Sequence, residues 1–183
     1  MRSPKSIRHN GKRLTDILAL HERFVRGEDA GARAELAGAD LSRADLAGAN
    51  LALVNFEGAN LEGANLREAK LAAADLRKAS LRRADLRGAD LTEANMSDAD
   101  LTEAQAGGAE MFRANLRNAI LRGAKLGATN FRLAEIRGAD FQGADLKTTI
   151  LRETNLEGVD LSGVDLSTAL LPPGYKRAAA AKN

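Results

Sequence analysis

The chain has 183 residues, no cysteine, a formal charge of +2 and only three per cent aromatic residues. That composition excludes a disulfide framework, a thiolate metal site and a platform of rings for stacking bases. No stretch approaches the ~20 consecutive apolar residues of a membrane span, and the basic N-terminus lacks the apolar core of a signal peptide. A cytoplasmic protein is the expectation.

In chain order, residues 1–13 come first. They carry Arg2, Lys5, Arg8, Lys12 and Arg13 and read as a basic, mobile N-terminus. Residues 14–33 read as a capping helix and its connecting loop. Thr15 stands at the N-cap, Asp16 in the first turn and Gly27 past the end. Ile17, Leu18, Leu20, Phe24 and Val25 supply the apolar side. His21 is expected at the surface or half-buried, and a partner-binding helix is the rival reading of this segment.

From residue 34 to 173 a single rule takes over. Stepping by five from Leu36 to Leu171 gives 28 positions, of which only Ala106 is not large and apolar. Two residues before each stands a small residue, mostly Ala, with Val54, Val159, Val164, Thr129, Thr149 and Thr154 as the variants. A step of five turns an α-helical side chain by about 140°, so no apolar stripe would form on a helix. In an extended segment, positions two apart share a face. The small residue and the large one therefore point inward together, and the Asp or Asn between them points out. Five is odd, so a turn in each unit must restore the register. Eleven of the 17 glycines fall two residues after the large position, where a type II turn needs positive φ. The unbroken register makes one array of repeated units.

The ADLRGADLTEAN stretch (residues 84–95) and its A(D/N)LXX pattern resemble the pentapeptide repeat family. The resemblance implies an all-β solenoid, a right-handed quadrilateral β-helix in which four repeats make one coil. Twenty-eight repeats then give about seven coils and a rod roughly 30–35 Å long. Open solenoid ends need caps, a task assigned to the N-terminal helix. Pro172 and Pro173 stop the other end, Tyr175 folds back over the last leucines, and residues 174–183 form a C-terminal tail.

No nucleophile–base pair, metal-ligand spacing or phosphate loop accompanies the repeats. The recurring Asp residues read as acceptors for corner amides rather than as catalytic carboxylates. A non-enzymatic protein without cofactor or metal is expected. Residues 34–171 hold 16 Lys+Arg against 21 Asp+Glu, so the basic excess lies in the flanks. Residues twenty apart would stack, pairing Glu57 with Arg77, Glu62 with Arg82, Lys78 with Asp98, Arg83 with Glu103, Glu93 with Arg113 and Arg137 with Glu157. Arg87, Arg117, Arg122, Arg132 and Arg152 are left without acidic partners.

Grouping by four also collects Leu53, Phe112, Leu133, Ile150 and Leu170 on the outside of one side, where other sides show only Ile120. With Arg132 and Arg152 as a polar rim, this side is the candidate partner-binding face. Leu170, Leu171 and Tyr175 are the candidate dimerisation contacts. The first functional reading is a rigid protein-binding or scaffolding module whose partner is another protein or a second copy. The second comes from the resemblance: some bacterial family members mimic a DNA duplex, bind DNA gyrase or topoisomerase IV, and protect them from quinolones or peptide toxins. Its weakness here is that acidic and basic residues alternate. Nucleic-acid binding through the arginine groups and basic tails is a minor third reading.

Overall fold

The computed structural model describes residues 1–175; the basic end of the expected tail, residues 176–183, lies outside the described residues. The repeats form a solenoid in which each outward residue pairs in parallel with the residue twenty further on, from Glu35 with Asn55 to Asn130 with Ile150, and again from Ile150 to Leu170. Each side is so short that it makes a single bridge, not an extended strand. A turn interrupts the chain before a second pair can form.

The five-residue unit explains itself in the hydrogen bonds. The Leu36 N–H donates to the Asn55 carbonyl at 2.7 Å, and the Asn55 N–H returns to the Ala34 carbonyl at 3.1 Å. Within the unit, the Ala39 N–H closes a turn on the Leu36 carbonyl at 3.1 Å. From Gly38 to Gly163 the third residue of each turn has positive φ, whether glycine (Gly38, 65°) or not (Lys78, 57°; Glu103, 58°). Outward Asp and Asn carboxyl and amide oxygens accept from the amide two residues on, as Asp90 does from Thr92 at 3.0 Å and Asn60 from Glu62 at 3.0 Å. This is the corner role expected of them.

Leucines and alanines of the array fill a continuous core, most of them fully buried. Where Thr replaces the small Ala, its hydroxyl donates to a carbonyl of the coil beneath: Thr129 to Ala106 (2.8 Å), Thr149 to Leu126 (3.0 Å) and Thr154 to Phe131 (2.6 Å). A buried hydroxyl thus keeps a partner.

The first thirteen residues depart from the expected mobile tail. Ser3 caps a 3-10 turn at Pro4–Ser6. Strands β1 (Arg8–His9) and β2 (Lys12–Arg13) pair as a hairpin across Asn10 and Gly11, both at positive φ, as a type I′ turn requires. Ile7 is buried. Arg2 pairs with Ala44 of the first coil, and its guanidinium meets Asp40 at 3.0 Å. The segment therefore covers part of an otherwise open sheet edge.

Helix α1 (Leu14–Val25) follows β2 directly, so Arg13 occupies the N-cap without a side-chain bond, and Thr15 lies inside the helix. Leu14 and His21 are buried, and Ile17 and Leu18 pack on the core; together they define the inward stripe. Phe24 and Val25, expected on that stripe, stay exposed although they continue its face, because they lie in the last turn, one turn along the axis beyond His21. The helix ends with Gly27 N–H on the Phe24 carbonyl and Glu28 N–H on the Arg23 carbonyl. That pair of bonds is a Schellman motif.

His21 is fully buried, not at the surface. Its Nδ1 accepts from the Ala34 N–H at 3.3 Å, while Nε2 makes no well-aligned hydrogen bond among the described residues. An Nδ1 acceptor fixes the neutral tautomer with the proton on Nε2. Burial lowers its pKa, partly opposed by the Ala52 backbone and by Glu22.

Candidate protein-binding face

One side of the solenoid carries Leu51, Leu71, Leu91, Met111, Phe131 and Leu151 inside, all buried. Its outward positions fall in three columns. Phe112, Arg132 and Arg152 follow the inward residue; Leu53, Arg113, Leu133 and Glu153 take the turn position, with φ of 66°, 55°, 59° and 61°. Ile150 and Leu170 precede the inward residue and are bridged to each other. Successive members of a column are about 4.8 Å apart.

Phe112 is half-buried, and two guanidiniums cover it. The Arg113 Cζ lies 5.1 Å from the ring centroid and the Arg132 Cζ 5.9 Å, within cation–π range. Glu153 holds Arg132 in place through two bonds at 3.0 and 3.1 Å, and Glu93 lies 3.6 Å from Arg113. Leu133 and Ile150 are half-buried beside this cluster. Leu53 is 45% exposed but sits three coils away, about 15 Å, so it continues the face without joining the cluster. Small residues Ala52, Ala72, Ala73 and Thr92 lie between. Arg152 forms no ion pair among the described residues. Leu170 is 43% exposed; Leu171 and Tyr175 are partly buried against the core end.

The face is electrically balanced. Asp90, Glu93, Glu110 and Glu153 stand against Lys70, Arg113, Arg132 and Arg152. The acidic excess of the rod sits on the other three sides.

Three of the six stacked pairs expected from the sequence form: Arg77–Glu57 at 3.0 Å, Arg83–Glu103 at 2.7 Å and Arg113–Glu93 at 3.6 Å. Arg82 turns instead to Asp100 at 2.9 Å, and no ion pair joins Lys78 to Asp98 or Arg137 to Glu157 among the described residues. Four arginines expected to be unpartnered are paired: Arg87 with Asp85 (2.6 Å), Arg117 with Glu135 (2.8 Å), Arg122 with Asp140 (2.6 Å) and Arg132 with Glu153 (2.9 Å). A long arginine reaches diagonally to an outward carboxylate two, eighteen or twenty-one residues away, which strict twenty-residue stacking does not count. The Arg87 guanidinium holds the Asp85 carboxyl below its ordinary range, and Arg77 does the same for Asp75.

No helix among the described residues is long and apolar enough to cross a membrane. No curated protein matches the sequence. Among solved structures, the chain is 31% identical to HetL, a pentapeptide repeat protein involved in heterocyst differentiation regulation in the cyanobacterium Nostoc, covering 77% of this chain and 78% of that one with a TM-score of 0.41. It is 32% identical to a pentapeptide repeat protein of the Arabidopsis thaliana thylakoid lumen over 67% of this chain and 71% of that one, with a TM-score of 0.29. It is 23% identical to QnrB1, a plasmid-mediated fluoroquinolone resistance protein, over 75% of this chain and 66% of that one, with a TM-score of 0.41. The family described as Pentapeptide repeats (8 copies) matches residues 34–72, 69–105, 109–147 and 129–167. With the five-residue register, the twenty-residue ladder and this match in agreement, the chain belongs to the pentapeptide repeat family.

Proposed function

We propose that this protein is a non-enzymatic binding module, a right-handed quadrilateral rod of about seven coils that docks a protein partner or a second copy on the Phe112 side. The observation that carries this is the cluster itself. A phenylalanine lies between Arg113 and Arg132, with Leu133 and Ile150 beside it, on a side without net charge. An aromatic anchor flanked by arginines is the composition of an interface centre. Because Glu153 fixes Arg132, little side-chain freedom is lost when a partner arrives. Leu170, Leu171 and Tyr175 extend the same side to the C-terminal end and serve as the self-association contacts if the partner is a second copy.

Mimicry of a DNA duplex bound by gyrase has weaker support. A duplex presents closely spaced, uniform negative charge, whereas here Arg82, Arg87, Arg117 and Arg122 each sit on a carboxylate. The same pairing disfavours nucleic-acid binding. The cytoplasm remains the proposed location.

Replacing Phe112 and Leu133 together with Ser tests the proposal. The variant is expected to keep the wild-type circular dichroism spectrum and to lose either the oligomer mass measured by light scattering or capture of the protein partner. Retention of both would refute the assignment.

A further inference from the structure

Among the described residues the ladder is interrupted over one stretch. From Leu36 to Phe131 the inward residues donate to the coil above, and Leu151 does so again to the Leu170 carbonyl at 2.8 Å. Between these, the N–H groups of Ile136 and Phe141 donate to no backbone carbonyl among the described residues, and Asn155 and Asp160 form no bridge to Glu135 and Asp140. The last coil stays attached along the Phe112 side, through Ile150 and Leu170, and at Thr168, whose hydroxyl accepts from the Thr148 N–H at 3.1 Å; it stands off along Asn155 and Asp160. The opening makes two adjoining cavities of about 610 and 400 Å³, the first between Glu135–Arg137 and Asn155–Gly158, the second reaching Asp140 and Asp160.

Two sequence features coincide at the seam. Along most of the rod an outward acid meets an Asn, Ser or Lys in an adjacent coil, and Asn65 Nδ2 donates to Asp45 at 2.8 Å. Here Asp160 follows Asp140 and Asp165 follows Asp145, two neighbouring like-charge rungs, which repel when stacked. A single such rung, Asp90 with Glu110, is bridged, and so is the lone Val54 unit. At the seam both features double, because Val159 and Val164 occupy successive small positions.

We infer that this gap is a second binding site, one that takes a peptide segment bearing lysine or arginine from a protein partner. The unpaired N–H groups of Ile136 and Phe141, on adjacent sides across the turn that the Ala139 N–H closes on the Ile136 carbonyl, each offer one rung to a segment that follows the bend of the coil. Five carboxylates and three guanidiniums line the two cavities. Glu157 and Asp160 form no ion pair among the described residues, so they are placed to receive cationic side chains. The first cavity borders the Phe112 face at Leu133 and Glu153, but the inference rests on the unpaired groups of the seam.

A capped ten-residue peptide of alternating Lys and Val is the probe, read by amide hydrogen exchange of the full chain and by fluorescence anisotropy. It is expected to slow exchange at Ile136 and Phe141 at least tenfold. An alternating Glu–Val peptide should not, nor should a Lys–Val peptide N-methylated at every second residue. Asp160→Asn, whose amide can donate to Asp140 and draw the coil down, should weaken binding several-fold. The inference is overturned if those amides are already as protected as Leu86 in the free protein. It is equally overturned if the Lys–Val peptide leaves their exchange unchanged, if the N-methylated peptide binds as well, or if Asp160→Asn binds undiminished.

Discussion

Gly107 and Gly108 are adjacent in the chain and make opposite demands. Gly108 is the turn residue at φ 70°, whereas Gly107 is not at positive φ, and a Cβ there would lie 3.4 Å from the Gly127 carbonyl oxygen. Gly108→Ala should therefore destabilise the rod by about 1 kcal/mol, the order of the left-handed penalty, while Gly107→Ala should fall within about 0.5 kcal/mol of wild type. Chemical denaturation of the two variants checks the contrast. Next to them, Ala106 is fully buried in a column where Leu86 and Leu126 stand above and below. A Leu→Ala change in a core costs about 2–5 kcal/mol. Ala106→Leu should recover part of that, about 1 kcal/mol, and an unchanged melting temperature would mean that neighbours such as Met111 already fill the space.

At the scale of elements, the cap depends on a neutral imidazole. His21 has a folded pKa below its ordinary value near 6.5, so folding favours the unprotonated ring. Its contribution is complete above about 6.5 and is lost as pH falls from there through the folded value. Protonation would remove the acceptor for the Ala34 N–H and place a charge under α1. Unfolding free energy measured from pH 7.5 to 5 should therefore decline in wild type, and more shallowly in His21→Leu. Parallel profiles would show that the ring is not coupled to the cap. The hairpin ahead of the helix carries a second test. Ile7→Ala should cost on the order of 2–5 kcal/mol as a buried truncation, whereas a mobile N-terminus would lose nothing.

These elements also show how far the sequence could be read. The five-residue period was legible because every inward position repeats it, and one physical pattern, small and large residues two apart, defines the core. The hairpin had a signal in Asn10-Gly11, but two strands of two residues carry no apolar alternation, so composition alone spoke for a tail. His21 was hidden because a lone histidine at helical spacing gives no sign of its depth. The Phe112 columns follow from counting by twenty. The Arg132–Glu153 clamp does not, since it depends on the reach of a side chain across coils. The seam left only a faint trace, the succession of Asp140 with Asp160 and Asp145 with Asp165.

For the whole molecule, four sides share one architecture and differ only in what faces out. Three carry the acidic excess in locally paired charges, which contribute little each to stability and keep the surface soluble. The fourth is neutral and holds the aromatic cluster. If binding on the outer faces follows composition, then away from the seam it must be confined to that side. The most direct test is site-specific photo-cross-linking in cells that express the protein. A benzoylphenylalanine would replace Leu133 on the Phe112 side, or Lys78, Arg83 or Lys147, one on each of the other three and all away from the seam. The account predicts a discrete adduct of constant mass from position 133 and none from the others. Adducts of equal yield from all four positions, or from another side alone, would contradict it.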